Sequence, residues 1–176
     1  MERVGFFGGC FNPPTSIHIR IANKLIEQGK LDKIVFVPVN DYYKKENLAE
    51  AKHRYKMLCL ATKNHEKLEV DDTLIMKNQK LFAVDSFKLI SNRDFIKNNN
   101  KEIFFIMGSD NYNQMPEWKE YDKIKDKYKY IVIERNENEI SSTQIREMIK
   151  NNDENVVNYL SKEVYNYIVE NNLYKL

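Results

Sequence analysis

The chain has 176 residues, of which 42% are hydrophobic and 31% are charged. These proportions predict a folded globular protein of one domain and exclude a disordered or fibrous chain. The 28 basic and 26 acidic residues leave a formal net charge of +2, so no strong field favours nucleic acid or an acidic membrane. The chain contains no apolar run of about 18 residues and no signal-peptide pattern at its start, so we expect a cytoplasmic protein.

Short apolar runs alternate with segments of helical periodicity along the chain. The predicted strands are 4–7, 34–37, 68–70, 103–107 and 130–133. The predicted helices are 16–28, 52–62, 84–90, 142–150 and 162–170. This alternation predicts an α/β fold, a parallel sheet with helices on both faces, whose ligands bind at the carboxyl ends of the strands. We expect one domain over 1–176, with a C-terminal helical cap over about 141–176.

A glycine-rich segment joins the first predicted strand to the first predicted helix. Gly8 and Gly9 lack side chains, which lets the backbone approach an anion closely. Thr15 or Ser16 caps the helix, whose N-terminal amides attract phosphate. His18 lies three residues after Thr15, so a hydroxyl and an imidazole point the same way. The pattern predicts a phosphate-binding loop; a plain glycine-rich turn with a half-buried histidine is the alternative.

Two later segments also carry candidate ligand-binding side chains. Lys44 and Lys45 follow the second strand and can contact a phosphate as point charges, although a solvated charged loop is the commoner origin of such a pair. Gly108 and Asp110 follow the most apolar strand, where glycine permits close approach and an acid accepts hydrogen bonds from a ribose. Trp118, the only tryptophan, offers a ring for stacking, with a place in the core as an equal alternative.

A serine- and threonine-rich segment opens the predicted helix at 142–150. Ser142 and Thr143 offer hydroxyls and free amides at the start of this helix. Arg146, one turn further, offers a guanidinium fork for phosphate oxygens. From these residues alone, an ordinary capped helix is the better interpretation.

The motifs, taken in order, resemble those of the nucleotidyltransferase superfamily. The segment from Gly8 to His18, which reads GGCFNPPTSIH, is similar to the signature loop of that superfamily, with Ile17 in place of the usual glycine before the histidine. The Phe-Asn-Pro within it resembles nicotinamide/nicotinate mononucleotide adenylyltransferases, particularly their eukaryotic-type branch. The sequence ISSTQIR at 140–146 is similar to a second signature of these enzymes, and the resemblance covers nearly the whole chain.

The resemblance implies a Rossmann-like fold of nucleotidyltransferase type. The implied reaction transfers the adenylyl group of ATP to nicotinamide or nicotinate mononucleotide and releases pyrophosphate. The implied catalytic residues are His18, Thr15 and Arg146. The residues implied to bind ATP are Gly8, Gly9, Phe11, His18, Gly108, Asp110, Ser142, Thr143 and Arg146. Those implied to bind the mononucleotide are Asn12, Thr15, Lys44, Lys45 and Trp118.

The implied partners are ATP and a pyridine mononucleotide, without nucleic acid or membrane, and a homo-oligomer is left open. The implied cofactor is Mg²⁺, which usually binds through substrate phosphates and water, so no protein metal site is expected. Two alternatives stay open. One is adenylyl or cytidylyl transfer to another phosphorylated acceptor. The other is a nucleotide sensor without catalysis.

The chain departs from the family pattern in two places. Only 136–139 separate Arg135 from the motif at Ile140, where family members usually carry a longer stretch, and this favours the sensor alternative. Leu81–Ala83 stand where nicotinate-preferring members have hydroxyl side chains. A desolvated carboxylate needs donors or cations, so this second departure predicts that nicotinamide mononucleotide is accepted at least as well as the nicotinate form.

Overall fold

A five-stranded parallel sheet forms the centre of the protein, whose computed structural model describes residues 1–43, 45–93, 100–134 and 139–175. The strands are β1 (Arg3–Gly9), β2 (Lys33–Pro38), β3 (Leu68–Val70), β4 (Glu102–Gly108) and β5 (Lys129–Ile133). Their order in the sheet is β3-β2-β1-β4-β5, and every neighbouring pair is parallel. The described α-helices are α1 (Ser16–Glu27), α2 (Ala51–Thr62), α3 (Ala83–Ser91), α4 (Ser109–Gln114), α5 (Ser142–Lys150) and α6 (Lys162–Glu170).

Alternate side chains of the central strands supply hydrophobic clusters on opposite faces of the sheet. On β1, Val4 and Phe6 belong to one cluster, whereas Phe7 belongs to the other. Helix α3 covers the first cluster with Phe87, and α1 covers the second with Leu25. Because helices lie on both faces of a wholly parallel sheet, the predicted α/β fold is confirmed.

The ends of α1 follow from local sequence. Thr15 is the N-cap residue with extended backbone angles, and its hydroxyl contacts Nδ1 of His18. Gly29 follows the helix with φ of 65°, a left-handed conformation that glycine adopts without a Cβ penalty. Helix α4 was not predicted, because its sequence SDNYNQ is polar and none of its residues is buried.

The C-terminal helices pack beside α2 and reach the start of α1. A third hydrophobic cluster combines Met57 of α2 with apolar side chains of α5 and α6. The backbone N–H of Ser16 donates to the carbonyl of Tyr159 at 2.9 Å. This bond fastens the C-terminal segment to the first turn of α1, next to the carboxyl edge of the sheet. Within the described ranges, no helix is long and apolar enough to span a membrane.

Candidate active site

The candidate site lies at the carboxyl edge of β1, β2 and β4. The chain crosses from β1 to β2 on one side and later returns to β4 on the other, so the crossovers diverge there and leave a crevice. Gly8, next to the last residue of β1, and Gly108, the last residue of β4, lie on neighbouring strands at this crevice. Apart from each glycine and its two neighbours in the chain, no described heavy atom lies within 4 Å of the position that a Cβ would take at either glycine. Both glycines therefore border open space that a ligand can occupy.

Substitution of Gly108 by alanine tests this open space. We expect Gly108→Ala to change the free energy of unfolding by less than about 0.5 kcal/mol, since its methyl meets no described atom. The same methyl enters the open space, so the KM for ATP, the substrate that the family resemblance implies, should rise at least about fivefold, or about 1 kcal/mol. Urea unfolding and initial rates measure the two effects.

Gly5→Ala is the matched control, because a Cβ at Gly5 would overlap the side chains of Leu31 and Ile106 in the core. We expect this control to lose stability and keep its KM. An unchanged KM in Gly108→Ala would place the ligand elsewhere.

Phe11 anchors the loop between β1 and α1. Its backbone is left-handed, with φ of 48°, and its side chain is only 3% exposed. The ring folds back over Gly9, where a Cβ would lie 3.1 Å from the ring, and this explains why a glycine stands there. The ring centroid also lies 5.2 Å from that of His18, edge to face. The Phe11 ring thus supports His18 from within the core.

The hydrogen bonds of His18 define which ring nitrogen carries the proton. Its Nδ1 accepts the backbone N–H of Thr15 at 3.0 Å and lies 2.9 Å from the Thr15 hydroxyl. A backbone N–H can only donate, so Nδ1 is unprotonated and the neutral ring carries its proton on Nε2. Burial lowers the pKa of His18 to about 4, which keeps the ring neutral at neutral pH. His18 is therefore prepared to donate one hydrogen bond from Nε2.

Helix α5 is held directly on the loop, although the two segments are far apart in sequence. The Ser142 hydroxyl donates to the carbonyl of Pro13 at 3.0 Å, over a separation of 129 positions. Arg146 Nη1 donates to the carbonyl of Asn12 at 2.9 Å, and Nη2 contacts the Thr143 hydroxyl at 3.3 Å. The structure thus brings together the first and last motifs that the sequence singled out.

The segment after β2 is joined to the same loop through the side chain of Asn12. Asn12 is 2% exposed, and its Nδ2 donates to the carbonyl of Asn47 at 2.7 Å. Its Oδ1 accepts the backbone N–H of Ala49 at 3.0 Å and the hydroxyl of Tyr174 at 2.8 Å. This side chain therefore connects protein segments, and a contact of Asn12 with the mononucleotide stays a prediction.

Cations converge around the loop. Burial raises the pKa of the Cys10 thiol, and the positive charges of Lys45, Arg54 and Arg146 oppose that rise. Lys45 thus lies close enough to act on the loop, whereas Lys44 lies outside the described residues. The concentration of positive charge suits a site for phosphate groups.

Arg54 is a structural part of the site whose function sequence reasoning missed. It is completely buried, and its guanidinium donates to the carbonyl of Ala49 at 2.7 Å and to that of Cys10 at 3.0 Å. A third contact, at 3.4 Å, reaches Asp41. Its position three and four residues before the apolar Met57 and Leu58, on the buried face of α2, is a signal that pointed to it.

The remaining predicted residues lie around the end of β4. Gly108 caps α4, and Asp110 is an exposed residue in its first turn. Trp118 is half-buried and packs against the cluster on the α3 side of the sheet, as the core alternative expected, and its stacking on a pyridine ring stays a prediction. Lys119, next in the chain, places Nζ 4.3 Å from the centroid of the Phe82 ring, so this loop faces the start of α3.

Comparison with known proteins defines the class first. Residues 6–148 match the family model described as Cytidylyltransferase-like. The fold is similar to that of a Plasmodium falciparum nicotinic acid mononucleotide adenylyltransferase complexed with NaAD, with a TM-score of 0.78 and 20% identity. That match covers 99% of this chain and 98% of the other. The chain thus has the nucleotidyltransferase type of α/β fold.

Two bacterial relatives narrow the class. A "Probable nicotinate-nucleotide adenylyltransferase" of Endomicrobium trichonymphae is 33% identical, over 99% of this chain and all of that protein. The nicotinate-nucleotide adenylyltransferase of Bacillus subtilis is 28% identical, over 99% of this chain and all of the other. The chain belongs to the nicotinate-nucleotide adenylyltransferase family. The family resemblance is confirmed, and these relatives are bacterial, unlike the eukaryotic-type branch that the loop sequence suggested.

Proposed function

We propose that the protein transfers the adenylyl group of ATP to nicotinate mononucleotide, giving nicotinate adenine dinucleotide and pyrophosphate. The observation that carries the proposal is the attachment of Arg146 to the His18 loop, through its 2.9 Å bond to the carbonyl of Asn12. This bond attaches a guanidinium to the loop that carries His18, whose neutral imidazole donates from Nε2, at the edge of the sheet where Gly8 and Gly108 lie. The names of the relatives support the choice of acceptor.

The chemistry needs orientation and charge stabilisation more than proton transfer. A phosphate monoester has a second pKa of about 6, so the acceptor is mostly dianionic at neutral pH and needs no general base. One of its oxygens forms a bond to the α-phosphorus of ATP, while the bond from that phosphorus to the pyrophosphate breaks. His18 and Arg146 donate hydrogen bonds to phosphate oxygens whose negative charge grows during this displacement.

Mg²⁺ is part of the proposal as a companion of ATP. Within the described residues, no group of three or more His, Cys, Asp or Glu side chains could hold a metal ion. The edge presents donors and cations, so phosphate oxygens and water would supply the ligands of the ion. When bound, the ion would offset part of the negative charge of the triphosphate.

The assay for this function combines purified protein, ATP and Mg²⁺ with separate acceptors and measures pyrophosphate release and dinucleotide formation. We expect turnover with nicotinate mononucleotide. Parallel reactions with CTP and with sugar or alcohol phosphates test the alternative transfers. Binding of ATP without pyrophosphate release from any acceptor would contradict the proposal and favour a sensor.

The proposed preference for the nicotinate acceptor departs from the expectation based on Leu81–Ala83. That expectation considered hydroxyls only, whereas the structure places two ammonium groups at the same location. Lys119 Nζ lies 4.3 Å and Lys80 Nζ 5.0 Å from the centroid of the Phe82 ring. These cations would attract the nicotinate carboxylate and not the neutral carboxamide of nicotinamide.

Lys119→Gln tests this source of selectivity. We expect the ratio of specificity constants, nicotinate over nicotinamide mononucleotide, to fall about fivefold, since a partly exposed charge pair contributes up to about 1 kcal/mol. Lys123→Gln is the matched control, because it removes a positive charge from the same segment, where Lys123 pairs with Glu120 at 2.6 Å. An unchanged ratio of specificity constants in Lys119→Gln would show that the Lys119 ammonium does not contribute to the choice between the two acceptors.

We also propose a cytoplasmic location. Cys10 and Cys59 are both free thiols, as is usual in a reducing compartment. Fractionation of cells followed by immunodetection measures the location directly.

A further inference from the structure

The C-terminal segment ends against the loop of the candidate site. After α6 the chain turns back, with a hydrogen bond from the backbone N–H of Leu173 to the carbonyl of Ile168 at 3.0 Å. Tyr174 then adopts a left-handed backbone with φ of 65°. Its hydroxyl lies 2.8 Å from Oδ1 of Asn12, a residue 162 positions earlier. Burial raises the pKa of Tyr174, so the hydroxyl stays protonated and is the donor in this bond.

The geometry around Asn12 leaves its amide only one orientation. The backbone N–H of Ala49 can only donate, so the atom 3.0 Å from it must be the amide oxygen. The carbonyl of Asn47 can only accept, so the atom 2.7 Å from it must be the amide nitrogen. The Tyr174 hydroxyl supplies the second donor to the same oxygen. Without it, a side chain that is 2% exposed would lose one of its hydrogen bonds.

Asn12 is the point at which three parts of the site meet. Its side chain holds the segment that contains Asn47 and Ala49, directly after Lys45. Its carbonyl accepts the guanidinium of Arg146 at 2.9 Å. A displacement of Asn12 as a whole, which these side-chain bonds oppose, would therefore shift both the segment after Lys45 and the anchor of Arg146.

We propose that Tyr174 is a positioning residue of the nucleotide site, which orients Asn12 and thereby fixes Arg146 and the 45–49 segment relative to the His18 loop. The ligand chemistry rests on the proposed function, but the contact itself does not. Tyr174 reaches no nucleotide directly in this proposal. Its effect on the site passes through Asn12. This predicts a pattern of ATP affinities and kcat values among the variants that a purely structural tyrosine would not give.

Tyr174→Phe removes the hydroxyl and keeps the ring. Tyr167→Phe is the matched control, since the Tyr167 hydroxyl makes a bond of similar length, 2.9 Å, to Nδ1 of His53, away from Asn12. We expect Tyr174→Phe to weaken ATP binding about fivefold by calorimetry and to lower kcat about tenfold, as small misplacements at a reacting centre do. We expect the control to keep both values and to show a similar unfolding midpoint.

A double-mutant cycle with Asn12→Ala tests the path of the effect. If Tyr174 acts through Asn12, adding Tyr174→Phe to Asn12→Ala causes no further loss of ATP affinity. Asn12→Ser replaces the alanine variant if the latter does not fold. Wild-type affinity and kcat in Tyr174→Phe, equal losses in Tyr167→Phe, or additive losses in the cycle would each overturn the proposal.

The proposed function and the positioning role of Tyr174 can be contradicted independently. If the wild-type protein binds ATP but releases no pyrophosphate, the proposed function is wrong, and the ATP affinities of the variants still decide the part that Tyr174 plays. A wild-type protein that binds no ATP overturns both.

Discussion

Replacement of His18 by asparagine is expected to lower kcat by about 100-fold or more, the usual scale for loss of one charge-stabilising donor. The asparagine oxygen can still accept the Thr15 N–H, which His18 Nδ1 accepts at 3.0 Å, so the fold of the loop should persist. The donor at Nε2 is lost. His18→Gln is the informative contrast, because its amide nitrogen can reach the place of Nε2, and we expect it to retain more activity. Equal activity of wild type and His18→Asn would remove His18 from the mechanism.

The pH dependence gives an independent check on the protonation state of His18. Its pKa in the folded protein is about 4, against 6.5 for the unperturbed group. Between these values the unfolded chain binds more protons, so His18 makes the free energy of unfolding rise with pH from about 4 to about 6.5. Urea unfolding across this window should show a weaker rise in His18→Asn than in wild type. The same slope in both proteins would contradict a buried neutral ring.

Arg146→Lys is expected to raise the KM for ATP at least about tenfold, although the charge is kept. The guanidinium of Arg146 uses one nitrogen for the carbonyl of Asn12 at 2.9 Å and another for the Thr143 hydroxyl at 3.3 Å, which orients its remaining donors. An ammonium group cannot reproduce this planar arrangement. The KM for the acceptor should change less, because the family resemblance assigns Arg146 to the binding of ATP.

Arg20→Lys is the matched control for the arginine substitution. Arg20 lies on α1 and forms an exposed ion pair with Glu139, so the same chemical change should leave both Michaelis constants unaffected. Initial rates with each substrate varied in turn give the comparison. An unchanged KM for ATP in Arg146→Lys would contradict a role in ATP binding and favour the alternative of an ordinary capped helix.

The strands and the longer helices could be predicted because their signals are local. The run 103–107 is apolar throughout, and β4 occupies Glu102–Gly108. The spacing of Thr15 and His18 likewise predicted that their side chains meet, since residues three apart on a first turn are neighbours. Helix α4 lacks such a signal, because a short polar helix has no apolar face to set a period.

The contacts that assemble the site could not be predicted from one sequence. The bonds from Ser142 to Pro13 and from Tyr174 to Asn12 join positions 129 and 162 apart, and no local pattern encodes them. The acceptor preference expected from Leu81–Ala83 stays a prediction, and it also lacked a contact between distant segments. The side chains of Leu81–Ala83 carry no hydroxyl or charge, but the ammonium group of Lys119 lies against the Phe82 ring from another loop. Of the short segment that suggested a sensor, 136–139, only Glu139 is among the described residues.

The central position of β1 has a consequence for synthesis of the chain. Val4 pairs with Lys33 on β2, but on its other side it pairs with Ile103 on β4. One edge of β1 therefore stays open on the ribosome until about a hundred further residues have emerged, and open strand edges are where nascent chains associate wrongly. The loop after β1 completes its contacts later still, because one of its hydrogen bonds comes from Tyr174, near the end of the chain. The strands of the sheet have thus all been synthesised before the contact between Tyr174 and Asn12 can form.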